Sequence, residues 1–245
     1  MSAFFEELDY RPTPIGALSL RRRREPSLGV DVFEIKLGDE FLMSSLFTAS
    51  EVALARSGLA ALDDDGLDIV VGGLGLGYTA QAILAHDSVG SLIVIEMLEP
   101  VIDWHRTGLL PLGPELGRDK RCRLLQADFF AAARSEAGFD PDVPGRRFDA
   151  ILVDIDHSPE ALLDDRSAGF YRPDGLAELA TRLKPGGIFG LWSNDTPDRT
   201  FTERLSDVFA EAWAEPVTFH NPLQDRPYTQ TVYLGRAAGR STEPA

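Results

Sequence analysis

The chain carries a single cysteine, Cys122, among its 245 residues. One thiol excludes an internal disulfide and a cysteine-built zinc site, and it fits a reducing compartment. Cys122 opens the run Cys122-Arg123-Leu124-Leu125 and reads as a packed, inert side chain. Histidine is also scarce: the four present are far apart, without metal-ligand spacing, so no metal is expected. No apolar run approaches the ~20 residues that span a bilayer. The start, Met1-Ser2-Ala3-Phe4-Phe5-Glu6-Glu7, lacks the basic and apolar regions of a signal peptide, so a cytoplasmic location is expected. Positive charge is short as well: 24 Lys and Arg face 39 Asp and Glu, a net charge of −15. So acidic a surface repels phosphate backbones and anionic membranes, and neither nucleic acid nor membrane is an expected partner. It confers solubility, and it leaves room for a site that attracts cations.

What is present is ordinary for a globular protein: 44% hydrophobic and 26% charged residues, with no internal repeat. Residues 1–14 read as an irregular arm broken by Pro12 and Pro14. Strands are expected over 15–24, 30–37 and 40–43, a small β meander, with the arginines Arg21 to Arg24 as a solvated edge. Ser50 reads as the cap of a helix over 51–62. Strands and helices then alternate: strands at 68–71, 91–95, 122–126, 148–153 and 188–193, helices at 78–85, 100–107, 129–136, 174–183 and 200–214. A closing pair of strands, 216–220 and 229–234, suggests an antiparallel edge. The pattern predicts an α/β, Rossmann-like, doubly wound and mostly parallel sheet. The expected division is an arm and meander over 1–47, a nucleotide-binding domain over 48–236, and a flexible tail over 237–245.

The sharpest motif is Gly72-Gly73-Leu74-Gly75-Leu76-Gly77, after an apolar strand and before a helix. Glycines there let the backbone turn sharply and approach a ligand, and the helix start adds free N–H donors. The spacing is G-x-G-x-G, but a dinucleotide fingerprint would need Gly or Ala where Tyr78 stands, which shifts weight from NAD toward a nucleoside without pyrophosphate. Glu96 follows the next strand and suits a ribose diol. Met97 beside it suits an adenine face or plain packing. Asp128, followed by Phe129, either accepts from an adenine amine or caps a helix. Asp154-Ile155-Asp156-His157 stands at the end of the strand over 148–153. Its acids suit a cationic amine and proton uptake, with His157 sharing that role, although a loop with capping acids looks the same.

The order of these features, continued by Phe170-Tyr171 and by Leu183-Lys184-Pro185-Gly186-Gly187, resembles the spermidine synthase family over about residues 41–234. The resemblance implies the class I SAM-dependent methyltransferase fold. It places Glu96 on the ribose, Asp128 on the adenine amine and Asp154 facing the amine nucleophile. Members of the family are commonly dimers, so a homodimer is implied. Three departures stand out. Aminopropyl-transferring members read G-G-G-D-G-G at the turn, where an acid meets the aminopropyl amine and repels the carboxylate of intact S-adenosylmethionine (SAM); here that place is Gly75. Their Tyr-His-Glu-like run before the first helix reads here as Phe41-Leu42-Met43-Ser44-Ser45-Leu46. Their D-S-x-D-P loop has altered spacing.

The expected function is therefore methyl transfer from SAM to a small cationic amine. The alternatives are aminopropyl transfer from decarboxylated SAM, a non-catalytic nucleoside-binding protein, and an NAD-dependent reductase, which Tyr78 opposes. Asp154, Asp156 and His157 are the candidate catalytic residues. Gly72, Gly73, Gly75, Gly77, Glu96, Met97, Asp128, Phe129 and Asp154 are the candidate nucleoside contacts. The acceptor is expected among the 154–171 loop, the meander and residues 194–199.

Overall fold

A computed structural model describes residues 4–239. Four antiparallel strands come first: β1 (Phe5–Thr13), β2 (Gly16–Glu25), β3 (Val30–Leu37) and β4 (Glu40–Ser44), in spatial order β1-β2-β3-β4. Of the residues read as an irregular arm, Phe5–Thr13 form a strand, while residues 1–3 lie outside the described part. Pro12 is tolerated because β1 is an edge, where a missing N–H breaks no ladder. Nor are the arginines a solvated edge, since β2 is an inner strand. Arg21 and Arg22 pair with Glu7 and Glu6 across to β1, Arg23 with Glu34 on β3, and Arg24 with Asp31. Opposite charges facing across strands favour this register.

The remaining elements are α1 (Ala49–Ala60), β5 (Leu67–Gly72), α2 (Tyr78–Leu84), β6 (Val89–Glu96), α3 (Glu99–Arg106), α4 (Gly113–Arg118), β7 (Cys122–Gln126), α5 (Phe129–Arg134), β8 (Phe148–Val153), α6 (Pro173–Ala180), β9 (Leu183–Ser193), α7 (Arg199–Ser206), β10 (Glu211–Asn221) and β11 (Arg226–Arg236). The seven strands order as β10-β11-β9-β8-β5-β6-β7. The five from β5 to β9 run parallel to one another; β11, antiparallel to β9, and β10 close one edge.

Period-two alternation divides the core between the two faces of this sheet. Ile69, Val71, Val94 and Leu152 face the layer holding α1 and Trp104. Val70, Ile93, Ile151 and Val153 face Phe129, Phe170 and Phe201. Each such side chain removed from water contributes ~1.5–3 kcal/mol. Wholly apolar strands buried on both faces are what a covered parallel sheet requires.

Three local expectations are corrected, and one helix is added. Helix α1 is capped at Thr48, and Ser50 lies inside it, fully buried. The helix expected over 200–214 stops at Ser206. Residues 211–214 instead pair with β11, and ladder pairing and packing of Trp213 override the helix propensity of the Ala-Glu-rich run. The short helix α4 had no periodic signal. The tail begins tethered: Ala237 N donates to Gly187 O and Gly186 N to Ala238 O, while residues 240–245 lie outside the described part.

No helix among the described residues is long and apolar enough to cross a membrane.

Candidate active site

The chain leaves β5 for β6 and β7 on one side, then returns to β8 and β9 on the other. The reversal opens a crevice at the carboxyl ends of β5 and β8, where such sheets bind ligands. A cavity of about 560 Å³ lies there, lined by all three layers: strands β3 and β4, the glycine turn, and the loops after β6 to β9.

The glycine turn forms the floor. Gly73, at φ +92°, accepts no side chain, because a Cβ would collide with the carbonyl oxygen of Asp154. Above Gly75 the space is filled from β4: a Cβ there would meet Met43 Sδ at 2.5 Å. The same sulfur accepts from Leu76 N at 2.9 Å, and the Gly75 carbonyl accepts from the buried His105 Nε2 at 2.9 Å. The peptide between residues 75 and 76 is therefore held at both ends. Gly72 and Gly77 flank the turn. Gly72 O accepts from Asp154 N at 2.8 Å, and a Cβ on Gly72 would strike the Phe129 ring.

Glu96 ends β6 with its carboxylate facing the cavity. Leu74 N and Leu98 N donate to its two oxygens at 3.0 and 2.9 Å. Each oxygen keeps a lone pair for a ligand hydroxyl. Burial pushes the Glu96 carboxyl up, opposed by the backbone N–H groups of Leu98, Leu74, Gly75 and Met97. Asp128 Oδ1 accepts from Ala131 N at 3.0 Å as the cap of α5, while the carboxylate also lines the cavity. Asp128 thus caps the helix and still presents its carboxylate to the cavity. Met97 is exposed at the cavity wall, and Phe129 is buried, stacked on Phe139 at 4.9 Å between ring centroids.

The acids after β8 divide. Asp154 Oδ2 accepts from Thr79 Oγ1 at 2.7 Å, and the carboxylate faces the cavity. Burial raises it to about 6, against the Thr79 hydroxyl. Asp156 is 2% exposed and engaged: Tyr171 Oη donates at 2.6 Å and Leu163 N at 2.8 Å, with Ser167 Oγ 3.3 Å away and also 2.7 Å from Asp164 O. Burial raises it too, and these donors oppose the rise. Asp156 therefore acts as the anchor of the 163–171 segment. Removing its shortest donor in Tyr171→Phe is expected to destabilise the protein by ~1–3 kcal/mol, read as a lowered Tm. His157 turns to the rim, donating from Nε2 to Glu40 Oε1 at 3.0 Å, while its carbonyl accepts from Asn194 N at 2.7 Å. Asp195 is absent from the lining and turns the chain, its carbonyl accepting from Thr231 Oγ1 at 2.7 Å.

Two acids in the cavity lining were not among the candidates: Asp164, which is paired with Arg166, and Glu51. Glu51, in the first turn of α1, is 6% exposed and lines the same cavity as Asp154. Burial, then the Asp154 charge, raises it to about 8, with the Ser50 hydroxyl opposing. The segment 41–46 matched against the family's Tyr-His-Glu-like run is mostly strand β4, and the acid enters one element later.

No family model and no curated protein sequence matches this chain. Solved structures do. A spermidine synthase in complex with the transition-state analogue AdoDATO superposes with a TM-score of 0.71 at 18% identity, covering 94% of this chain and 73% of that one. The spermidine synthase from Thermotoga maritima gives 0.68 at 18% identity, covering 94% and 72%. The chain has the spermidine-synthase-like fold: a class I methyltransferase-type sheet preceded by a four-stranded antiparallel meander.

Proposed function

We propose that this protein is a transferase that moves an alkyl group from an S-adenosyl sulfonium to a small polyamine-type amine, with decarboxylated SAM as donor and aminopropyl as the group transferred. The observation that carries the reading is the convergence of Asp154, Glu96 and the glycine turn on one cavity. The fold supports it, shared with spermidine synthases, one of them bound to AdoDATO. This outweighs the expectation of methyl transfer.

The residues fit an adenosyl donor. Glu96 keeps lone pairs for the ribose, Asp128 is open at the adenine end, and the floor at Gly73 carries no side chain. The amine's lone pair forms the new C–N bond as the C–S bond breaks, and sulfur leaves as a neutral thioether. The carbon is already activated by the sulfonium, so the protein holds the amine in line and takes up its proton. Asp154 is the proton acceptor. Asp156 and His157 act at one remove, by fixing the loop that carries them.

One observation favours methyl transfer from intact SAM as a second reading. The place of the family's turn acid is Gly75, capped by the Met43 thioether, so nothing there repels a carboxylate. Gly75→Asp alone is expected to weaken donor binding, because its Cβ meets Met43 Sδ. Combined with Met43→Ala it is expected to shift preference toward decarboxylated SAM by about tenfold, ~1.4 kcal/mol. Parallel titrations with both donors check this. The activity itself is tested by incubating the protein with each donor and putrescine or spermidine, then weighing the product. An aminopropyl increment supports the main reading, a methyl increment the second, and unchanged amines with both donors contradict both. The proposal places the enzyme in the cytoplasm as a homodimer, the latter checked by light scattering.

A further inference from the structure

Ser50 and Glu51 meet a set of polar groups that the donor site does not use. Ser50 Oγ accepts from Trp192 Nε1 at 2.7 Å. The same oxygen lies 2.8 Å from Glu51 Oε2 and 2.7 Å from Gln230 Oε1. Gln230 Nε2 in turn donates to Asn194 Oδ1 at 2.9 Å, where Tyr228 Oη also donates, at 3.3 Å. A hydroxyl has one hydrogen, and here it faces two acceptors. Every member is satisfied when Glu51 carries a proton: Glu51 donates to Ser50 Oγ, and Ser50 donates to Gln230 Oε1. With Glu51 ionised, one of the two acceptors loses its donor.

Turning the Gln230 and Asn194 amides over would free the hydroxyl for an ionised Glu51. It would also leave two carboxylates, Glu51 and Asp154, in one end of the cavity. Among the described residues no Lys or Arg faces them. The lining cations, Arg134 and Arg166, belong to the Asp128 end. On the elements packed against α1, Asp154 and Tyr78 face Glu51, and the Tyr78 hydroxyl is pushed further up by burial. The other charged groups there are engaged elsewhere. Lys184 holds Asp68 and Asp149, Glu215 accepts from Ser57 and Trp213, Arg236 reaches Glu211 and Ala61 O, and His220 lies beside Asp225. Two unpaired buried anions are far more costly than one.

We propose that Glu51 is a neutral carboxylic acid, fixed by Ser50, that acts through Asp154 as a positioning residue by keeping the acceptor end of the cavity at a single negative charge. The inference rests on the amine-transfer reading for its consequence, though not for its geometry. One negative charge attracts an arriving ammonium. Two would hold its proton more tightly and oppose formation of the free amine. The ammonium gives its proton to Asp154, and the amine lone pair then displaces the thioether. The product leaves as a secondary ammonium, and Asp154 returns its proton to water.

Infrared spectroscopy tests the protonation without any substrate. The wild-type minus Glu51→Gln difference at neutral pH is expected to show a protonated carboxyl C=O band, lost from the wild type on titration past about pH 8. A carboxylate band there instead overturns the proposal. In turnover, Glu51→Gln keeps a donor to Ser50. It is expected to retain kcat and KM for the amine within about threefold at neutral pH and to lose the alkaline transition of the wild type. A KM raised tenfold or more, with that transition intact, overturns it too. If Glu51→Gln does not fold, titration of the wild-type band alone decides. Failure of every amine to react would sink the transferase reading and leave the infrared result standing.

Discussion

Asp154→Asn is expected to lower kcat by about two to four orders of magnitude while leaving donor affinity within a few fold. Asparagine is nearly the same size, and it can still accept from Thr79 Oγ1, which holds the Asp154 side chain at 2.7 Å. What it removes is the carboxylate that attracts the ammonium and takes its proton. Steady-state kinetics, with calorimetric titration of the donor, separate the two effects. The wild type carries a related signature. Burial raises Asp154 to about 6, so kcat/KM for the amine is expected to fall as pH drops through that value. Equal loss of donor binding in the variant would recast Asp154 as part of the nucleoside site.

Gly73→Ala is the second large effect expected. At φ +92° an L side chain is strained by roughly 1–2 kcal/mol. The added carbon must also displace the Asp154 carbonyl, which is backbone and tied to the end of β5 through Asp154 N and Gly72 O. Neither side can yield without moving the turn or the strand-end acid. The variant is expected to lose at least about a hundredfold in donor affinity, near 2.7 kcal/mol, and to unfold at a lower temperature. Gly117→Ala, at an exposed position of α4 with open space around its Cβ, is the control expected to leave donor affinity unchanged and the unfolding temperature no lower.

The sheet was legible because its central strands are short and apolar at their centres. Ile69-Val70-Val71 and Ala150-Ile151-Leu152-Val153 leave little choice but burial on both faces. The acids at the strand ends were legible for the same reason: Glu96 and Asp154 are the first polar groups after apolar runs, and Asp128 stands two residues past the end of β7. Their sequels were not. Asp154 and Asp156 look alike in a loop, where no periodicity separates them, and only the docking of Tyr171 and Leu163 shows which is saturated. Glu51 was illegible because Ser50's partners, Trp192 and Gln230, are 142 and 180 residues away. Met43 was hidden likewise: its contact with the turn depends on how the meander seats over the sheet. Residues 216–220 of β10 were legible as a strand, but its first residues, 211–214, read as helix because their Ala and Glu favour that state locally, while the partner strand β11 comes later in the chain.

The central claim is that the cavity holds an S-adenosyl nucleoside through Glu96. Calorimetric titration of decarboxylated SAM into the wild type and into Glu96→Gln tests it most directly. Glutamine keeps the shape but presents an amide donor where Leu74 N and Leu98 N already donate, and it removes the charge that binds a ribose diol. One-site binding to the wild type, weakened at least about tenfold (~1.4 kcal/mol) in the variant, is the predicted result. No binding to the wild type, or equal binding to both proteins, would contradict it.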